Sequence, residues 1–575
     1  MMRPLADQNR TEPTTFSSCD RGNVAVIFGL SFIPLVLMLG AGVDYGRAVS
    51  TKSNLQQATD SAALAVAKTI VATTTNQQAQ SQAQVYLLTN VRNAVAVVTK
   101  AEISADRLTL CLDSTAQIPT TIMKIAHIET ITTKATTCAQ TPGGMNGTYE
   151  IALVLDNSGS MSKSAGGKSK IAALRDAATS FVNNIYSKTT DVKMSIVPFS
   201  AGVRVLDPSV SSNRTLSWID VNGNNSQHWL VFGDGSLVAA TAKAAAKTAG
   251  FTSRFDIFTK LKSLNSSWDW GGCFEGPKYP LNVSDTAVDT SNAETLFVPF
   301  LAPDEPSTKD KYNNSLYTNN YLAETGGSCS GTVTGDWKLL TRACKYGKPK
   351  KDGSGAGPNS SCPTSSSQTV LQLTATQSTI TTKISGLTEN GYTNLHEGFM
   401  WGWRTISPTG PFAAGRAYAT KDNHKIIVFM TDGFNNWQSA TSTVTGSAYQ
   451  AAGYYSYNGT ANQRFPDGTA TNGNGVNYQT TLEAAAGSST DYHDTSRNMQ
   501  DELTLEACTN AKTAGVEIYT IGFSVPVDPI DAQGLKMMQD CATDANHYFA
   551  ATDVDSLNAA FASIGSGVGK LRLSK

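Results

Sequence analysis

Charge is what this 575-residue chain has little of: Asp, Glu, Lys and Arg make up 16% of it, against about 25% in an ordinary soluble domain. The formal net charge is −1 and the Lys and Arg residues are scattered. No basic stripe is present to neutralise a phosphate backbone, so nucleic acid is not expected as a partner. No Cys-x-x-Cys pair occurs, which argues against a structural zinc site. The six histidines are dispersed and no His-Glu-x-x-His is present, so core or surface roles are expected of them. Gly167-Lys168-Ser169 ends like a phosphate-binding loop, but Ser162 stands where the first glycine is needed, and nucleotide binding is not expected.

What is present begins with a long apolar run. From Asn23 to Val43 there are 21 residues without a charge, close to the roughly 20 needed to span a bilayer. The run is longer than a signal-peptide core and lacks a clear cleavage site, so a retained anchor is expected, with residues 1–20 as a short disordered cytoplasmic arm. Leu55, Ala58, Ala62, Ala65 and Val66 then continue a helical face, giving an anchor plus extension over 21–75. Ile27 stands where a prepilin would carry Glu, so prepilin processing is not supported. Short Val/Ile/Thr-rich runs predict a small β-rich module over 76–140, and Thr141-Pro-Gly-Gly-Met-Asn-Gly-Thr reads as a linker. Cys19 precedes the apolar run and eight cysteines follow it. An even set in a polar chain points to disulfides in an oxidising compartment. Short spacing favours Cys111 with Cys138 and Cys508 with Cys541.

The stretch around which the rest is organised is Ile151-Ala-Leu-Val-Leu-Asp156-Asn157-Ser158-Gly159-Ser160. Five apolar residues suit a strand buried on both faces of a parallel sheet. The acid and two hydroxyls at alternate positions can converge on one hard cation, and oxygen ligands favour Mg²⁺, with Ca²⁺ or Mn²⁺ as alternatives. Further strands are expected at 192–199, 424–431 and 516–523, separated by helices, which implies a doubly wound parallel sheet. Such sheets bind ligands beyond the carboxyl ends of their strands. Thr393, in Gly-Tyr-Thr-Asn, and Asp432, in Thr-Asp-Gly after the strand, complete the candidate metal set Asp156, Ser158, Ser160, Thr393 and Asp432. This domain is expected over 148–567, with loop-rich insertions at 207–366 and 437–491 and a tail at 568–575. Phe399, Met400, Trp401 and Trp403 are read as core. A competing chemistry is carried by Ser160-Met-Ser-Lys163, the Ser-x-x-Lys pattern of a serine hydrolase, although no Ser-Asp-Asn element accompanies it.

The acid-hydroxyl pattern and its downstream Thr and Asp resemble the metal-ion-dependent adhesion site (MIDAS) of von Willebrand factor A (vWA) domains. Arg21-Gly-Asn-Val-Ala-Val-Ile-Phe, Val43-Asp-Tyr-Gly-Arg, Leu55-Gln-Gln-Ala-Thr-Asp-Ser-Ala-Ala-Leu-Ala, Trp270-Gly-Gly-Cys273, Glu397-Gly-Phe-Met-Trp401-Gly-Trp-Arg and the terminal Leu571-Arg-Leu-Ser-Lys add a second likeness. Together they resemble the TadG proteins of the Flp/Tad (tight adherence) pilus systems of bacteria. The resemblance implies a non-enzymatic, single-pass inner-membrane protein with a cytoplasmic N-terminus and its large domain in the periplasm or at the surface. Its implied partner is a protein presenting an acidic residue to an open metal position. A purely structural spacer is the remaining alternative.

Overall fold

The computed structural model describes residues 22–70, 74–92, 94–104, 109–141, 148–189, 191–307, 319–324, 329–437, 443–454, 456–457, 460–461, 464, 489–568 and 573–574. The arm at 1–20, the middle of the 141–148 linker and most of the 437–491 insertion lie outside the described residues. Two compact units are present, Met1–Asn146 with Gly569–Lys575, and Gly147–Val568.

The first unit is built on α1 (Gly22–Ala67), a single 46-residue helix that passes through Pro34. Its first half leaves Val26, Phe28, Leu30, Leu35 and Met38 exposed, and it is long and apolar enough to cross a membrane. Its second half buries Leu55, Ala58, Ala62, Ala63 and Val66, small residues that let the helix lie close to its neighbours. Residues 76–90, expected within a β-rich module, instead form the helix α2 (Asn76–Asn90). Ala79, Ala83 and Leu87 recur at the helical interval and are buried, while Thr75 and Gln78 close a capping box. The strands β1 (Val95–Ile103), β2 (Thr109–Pro119) and β3 (Thr130–Gln140) follow as an antiparallel meander. Cys111 and Cys138, opposite one another in β2 and β3, form a disulfide. Leu573–Ser574, expected as part of a tail, pairs with β3 as a fourth strand.

The second unit opens with β4 (Thr148–Asp156), α3 (Lys170–Tyr186) and β5 (Val192–Phe199). The first insertion contains α4 (Ala239–Thr248), α5 (Arg254–Leu264) and α6 (Asp336–Leu340). After it come β6 (Leu371–Thr374), α7 (Gln377–Ser385), α8 (Leu395–Ile406) and β7 (Asn423–Thr431). A two-residue ladder, β8 (Ser456–Tyr457) with β9 (Thr460–Ala461), precedes α9 (Ser489–Thr513). The unit ends with β10 (Val516–Phe523), α10 (Ala532–Cys541), β11 (Tyr548–Ala551) and α11 (Val554–Gly567). The sheet runs β11-β10-β7-β4-β5-β6. Its first five strands are parallel, as expected; the edge strand β6, not foreseen, is antiparallel to β5.

All twelve residues of α8 are buried. A Cβ on Gly398 would meet Phe199 at 2.5 Å and one on Gly402 would meet Val154 at 2.2 Å. Only glycine lets this helix lie so close to β4 and β5. On the other side of α8, Trp401 packs with Trp218, Phe274 and Phe297 of the first insertion. That insertion is therefore no coreless loop. Its disulfides, Cys273–Cys362 and Cys329–Cys344, accompany an apolar core continuous with that of the sheet. Cys508–Cys541 ties α9 to α10.

Candidate metal centre

β4 and β7 are adjacent and parallel, so the loops that leave their carboxyl ends start side by side. Asp156 ends β4 and Asp432 follows β7, which brings two buried acids to one place at the centre of the sheet. Asp156 Oδ1 accepts from the Ser158 amide at 2.8 Å, a turn that folds the chain back on its own carboxylate. Its Oδ2 accepts from the Thr431 hydroxyl at 2.6 Å. The Ser158 and Ser160 hydroxyl oxygens lie 3.0 Å apart, and Ser160 Oγ donates to Asp432 Oδ1 at 2.7 Å. Asp156, Ser158, Ser160 and Asp432 thus form one polar cluster.

Thr393 arrives on a third loop. Backbone bonds stitch that loop to both others: Gly159 N to Gly391 O at 2.8 Å, Asn390 N to Asn157 O at 2.9 Å, and Asn436 N to Thr393 O at 2.8 Å. The Thr393 hydroxyl lies 3.6 Å from the place a Cβ on Gly433 would take. All five residues singled out from the sequence are therefore on loops that converge at one end of the sheet.

Two residues that sequence reasoning missed complete the cluster. Lys170, fully buried, donates from Nζ to Asp432 Oδ2 at 2.8 Å and to Asp528 Oδ2 at 2.8 Å. A signal was present: Lys170 opens α3 on the same face as Leu174, Ala177 and Phe181. A cation at a helix N-terminus also opposes the helix dipole, so it needs an acid to hold it. Asp528, in the loop after β10, carried no such signal.

Burial, and then the charge of Asp432, push the Asp156 carboxyl above its ordinary range. Burial likewise raises Asp432, with Lys170 working against it. Lys170 pairs with Asp432 and Asp528, and burial beside the Asp432 charge makes the ionised form of Asp156 costly. A hard divalent cation would favour that ionised form, and the donors on offer, carboxylate and hydroxyl oxygens, suit Mg²⁺, Ca²⁺ or Mn²⁺. Among the described residues no group of three or more His, Cys, Asp and Glu is placed to hold a metal, so a cation here would depend on the hydroxyls.

Fold and loops together define an α/β domain of the vWA class, and residues 151–220 match the model of the von Willebrand factor type A domain. Residues 22–69 match the Flp pilus-assembly TadE/G-like family model. The chain thus joins a TadE/G-like N-terminal segment to a vWA domain. No curated protein matches it. Among solved structures it is similar to the pilus adhesin SpaC from Lactobacillus rhamnosus GG, 12% identical over 83% of this chain and 34% of that one, with a TM-score of 0.29. The chain therefore spans about a third of the length of that adhesin. It is also similar to the PilB minor pilin from Streptococcus sanguinis, 12% identical over 84% of this chain and 79% of that one, with a TM-score of 0.32. A third likeness is to proximal thread matrix protein 1 from the mussel byssus with a zinc-occupied MIDAS motif, 11% identical over 75% and 98% of the two chains, with a TM-score of 0.17. At such scores none of these likenesses bears on what this chain does.

Proposed function

We propose that the second unit holds a divalent cation, Mg²⁺ in the first place, through Asp156, Ser158, Ser160 and Thr393, with Asp432 beside it, and that the cation receives an acidic residue of a protein partner. The observation that carries this reading is the single cluster of two buried acids and two hydroxyls at the carboxyl end of the sheet. Few carboxylates serve the ion, so it stays electron-poor and retains exchangeable water positions, which a partner's carboxylate can take. With α1 as a membrane anchor, the protein acts as a tethered, non-enzymatic component of Flp/Tad pilus assembly or surface adhesion. Its N-terminus is placed in the cytoplasm and its vWA domain in the periplasm or beyond, an orientation consistent with the four disulfides that follow the apolar run.

The competing serine hydrolase would need Lys163 as a base for Ser160. Lys163 is exposed, and the Ser160 hydroxyl is engaged by Asp432. A desolvated lysine is the kind that serves as a base, which leaves the adhesion reading better supported. The test is thermal unfolding of the purified chain with and without Mg²⁺. A ligand that binds only the folded state stabilises it by about 2.7 kcal/mol at a hundred times its Kd. The expected result is a Mg²⁺-dependent rise that Asp156→Ala abolishes. An unmutated protein indifferent to Mg²⁺, Ca²⁺ and Mn²⁺ would leave only a structural spacer.

A further inference from the structure

The turn between β2 and β3 is pinned to α1 at the point where the uncharged run ends. The Asp44 carboxylate accepts from the amides of Thr121, Ile122 and Met123 at 3.0–3.1 Å. Arg47 donates to the Thr121 hydroxyl at 2.5 Å. Ile122 fills the space over Gly40, where a Cβ would come within 2.1 Å of its Cγ2. Residues 120–129 therefore lie at the level of Gly40 to Asp44, beside the last turn of the apolar run.

Strand register places two more segments at this level. β2 runs into the turn at Pro119, and Val95 pairs with Gln117, so β1 begins at the same end. The Gln84 side chain bonds Ala96 O at 2.9 Å and Val98 N at 2.8 Å, which lays the last two turns of α2 alongside. Among the described residues, the large apolar side chains left exposed in this unit outside α1 all fall here. They are Val85, Tyr86 and Leu88 on α2, Val95 and Val97 on β1, and Ile125 and Ile128 on the turn. Among the described residues the opposite end exposes none. Single exposed apolar residues need no explanation, but a cluster confined to one end does.

We propose that this end is a collar that rests on the lipid surface around the exit of α1, with Ile125 and Ile128 dipping into the headgroup region. The inference rests on reading α1 as a membrane span. Continuity selects lipid over a protein partner: the collar adjoins the free apolar half of α1 at the depth that Gly40 and Asp44 fix. Its rim fits the same occupant. Tyr45 and Tyr86 are exposed there with Arg47, Arg92 and Lys124, and phenols and basic side chains concentrate at bilayer interfaces. Glu129, the acid that closes the turn, is exposed and free to stay in water.

The experiment uses the full chain in vesicles of phosphatidylcholine and phosphatidylglycerol, with Cys19 replaced by Ser and the eight disulfide cysteines kept. A polarity-sensitive fluorophore is placed on one introduced cysteine at a time: Met38→Cys in the span, Ile125→Cys and Val95→Cys in the collar, and Gln77→Cys at the exposed opposite end. Spin-labelled lipids with shallow or deep nitroxides serve as quenchers. Expected is deep quenching at 38, at least twofold shallow quenching at 125 and 95, and none at 77. Quenching at 38 with positions 125 and 95 as silent as 77 overturns the collar while leaving the anchor intact. Silence at 38 as well overturns the anchor. A blue shift at 125 without lipid quenching assigns the patch to a protein and likewise overturns the proposal.

Discussion

Two groups of acids in the second unit, each gathered about one buried lysine, are handled differently. In the first insertion, Lys345 lies between two acids: Nζ is 2.7 Å from Asp304 Oδ2, with both side chains fully buried, and 3.6 Å from Glu324 Oε1. The pair is closed by backbone. Asp304 Oδ1 accepts from the amides of Tyr321 and Leu322 at 2.6 and 2.7 Å, while Lys345 donates to the carbonyls of Asp304 and Leu339. At the carboxyl end of the sheet, Lys170 pairs with Asp432 and with the partly exposed Asp528, while Asp156 is held by the Thr431 hydroxyl and the Ser158 amide. Because backbone amides and carbonyls hold both Asp304 and Lys345 from within the insertion, that group is internal structure. The cluster at the end of the sheet is joined mainly through side-chain hydroxyls rather than closed by backbone, which is what the proposed cation site needs. Glu305, next to Asp304, shows a third solution: it accepts from Tyr454 and from the Val444 amide, and burial pushes it up to about 7, so a proton neutralises it.

The largest effect should come from breaking the closed pair. Asp304→Ala leaves the buried Lys345 with the more distant Glu324 carboxylate, 3.6 Å away, and removing the close partner of a buried pair costs about 3–5 kcal/mol. Guanidinium unfolding should show that loss, equal with and without Mg²⁺. A loss below about 1 kcal/mol would show that water reaches Lys345 and that the contrast between the groups is false.

The proton-neutralised acid gives the next test. Glu305 has a folded pKa raised from 4.5 to about 7, so the folded state binds its proton more tightly than the unfolded chain does. Stability from this group is full below about 4.5 and is lost as pH rises through 7, by about 3 kcal/mol at 1.36 kcal/mol per unit. Glu305→Gln cannot ionise. Unfolding measured at pH 5 and pH 8 should therefore fall less in the variant than in the unmutated protein, and parallel profiles would count against a proton on Glu305.

How much of this could be read from sequence depends on how local each signal is. Asp156, Ser158 and Ser160 lie within five residues of a buried apolar run, and Asp432 ends another. Spacing alone placed them at the end of a sheet. Spacing favoured Cys111–Cys138 and Cys508–Cys541, which do form, but not Cys329–Cys344, whose partners are closer still in the chain. What stayed hidden depends on distant partners. The Ser, Thr and Asn content of 207–366 disguised a core whose aromatic residues are spread thinly, so that Trp218, Phe274 and Phe297 meet only around Trp401 of α8. The edge strand β6 is four residues long, too short for any periodicity to show. Lys170 meets Asp432 across 262 residues and Asp528 across 358. No window holds both partners.

Lys170 also decides how the open cluster works, and here the expected change is smallest but its sign is most informative. An ammonium 2.8 Å from Asp432 already meets part of the negative charge that a cation would meet. On that argument Lys170→Met should destabilise the metal-free protein, because Asp432 loses its only buried cation among the described residues. It should also tighten Mg²⁺ binding about tenfold, or about 1.4 kcal/mol. The opposite sign follows if Lys170 chiefly positions Asp432, holding Oδ2 so that Oδ1 faces Ser160. Binding would then weaken, and Lys170→Arg, which keeps the charge in a different shape, would restore it only in part. Calorimetric titration of Mg²⁺ into the two variants separates the cases. Tighter binding identifies Lys170 as the charge that keeps the site from holding its metal too firmly, whereas weaker binding makes it a strut of the metal loops.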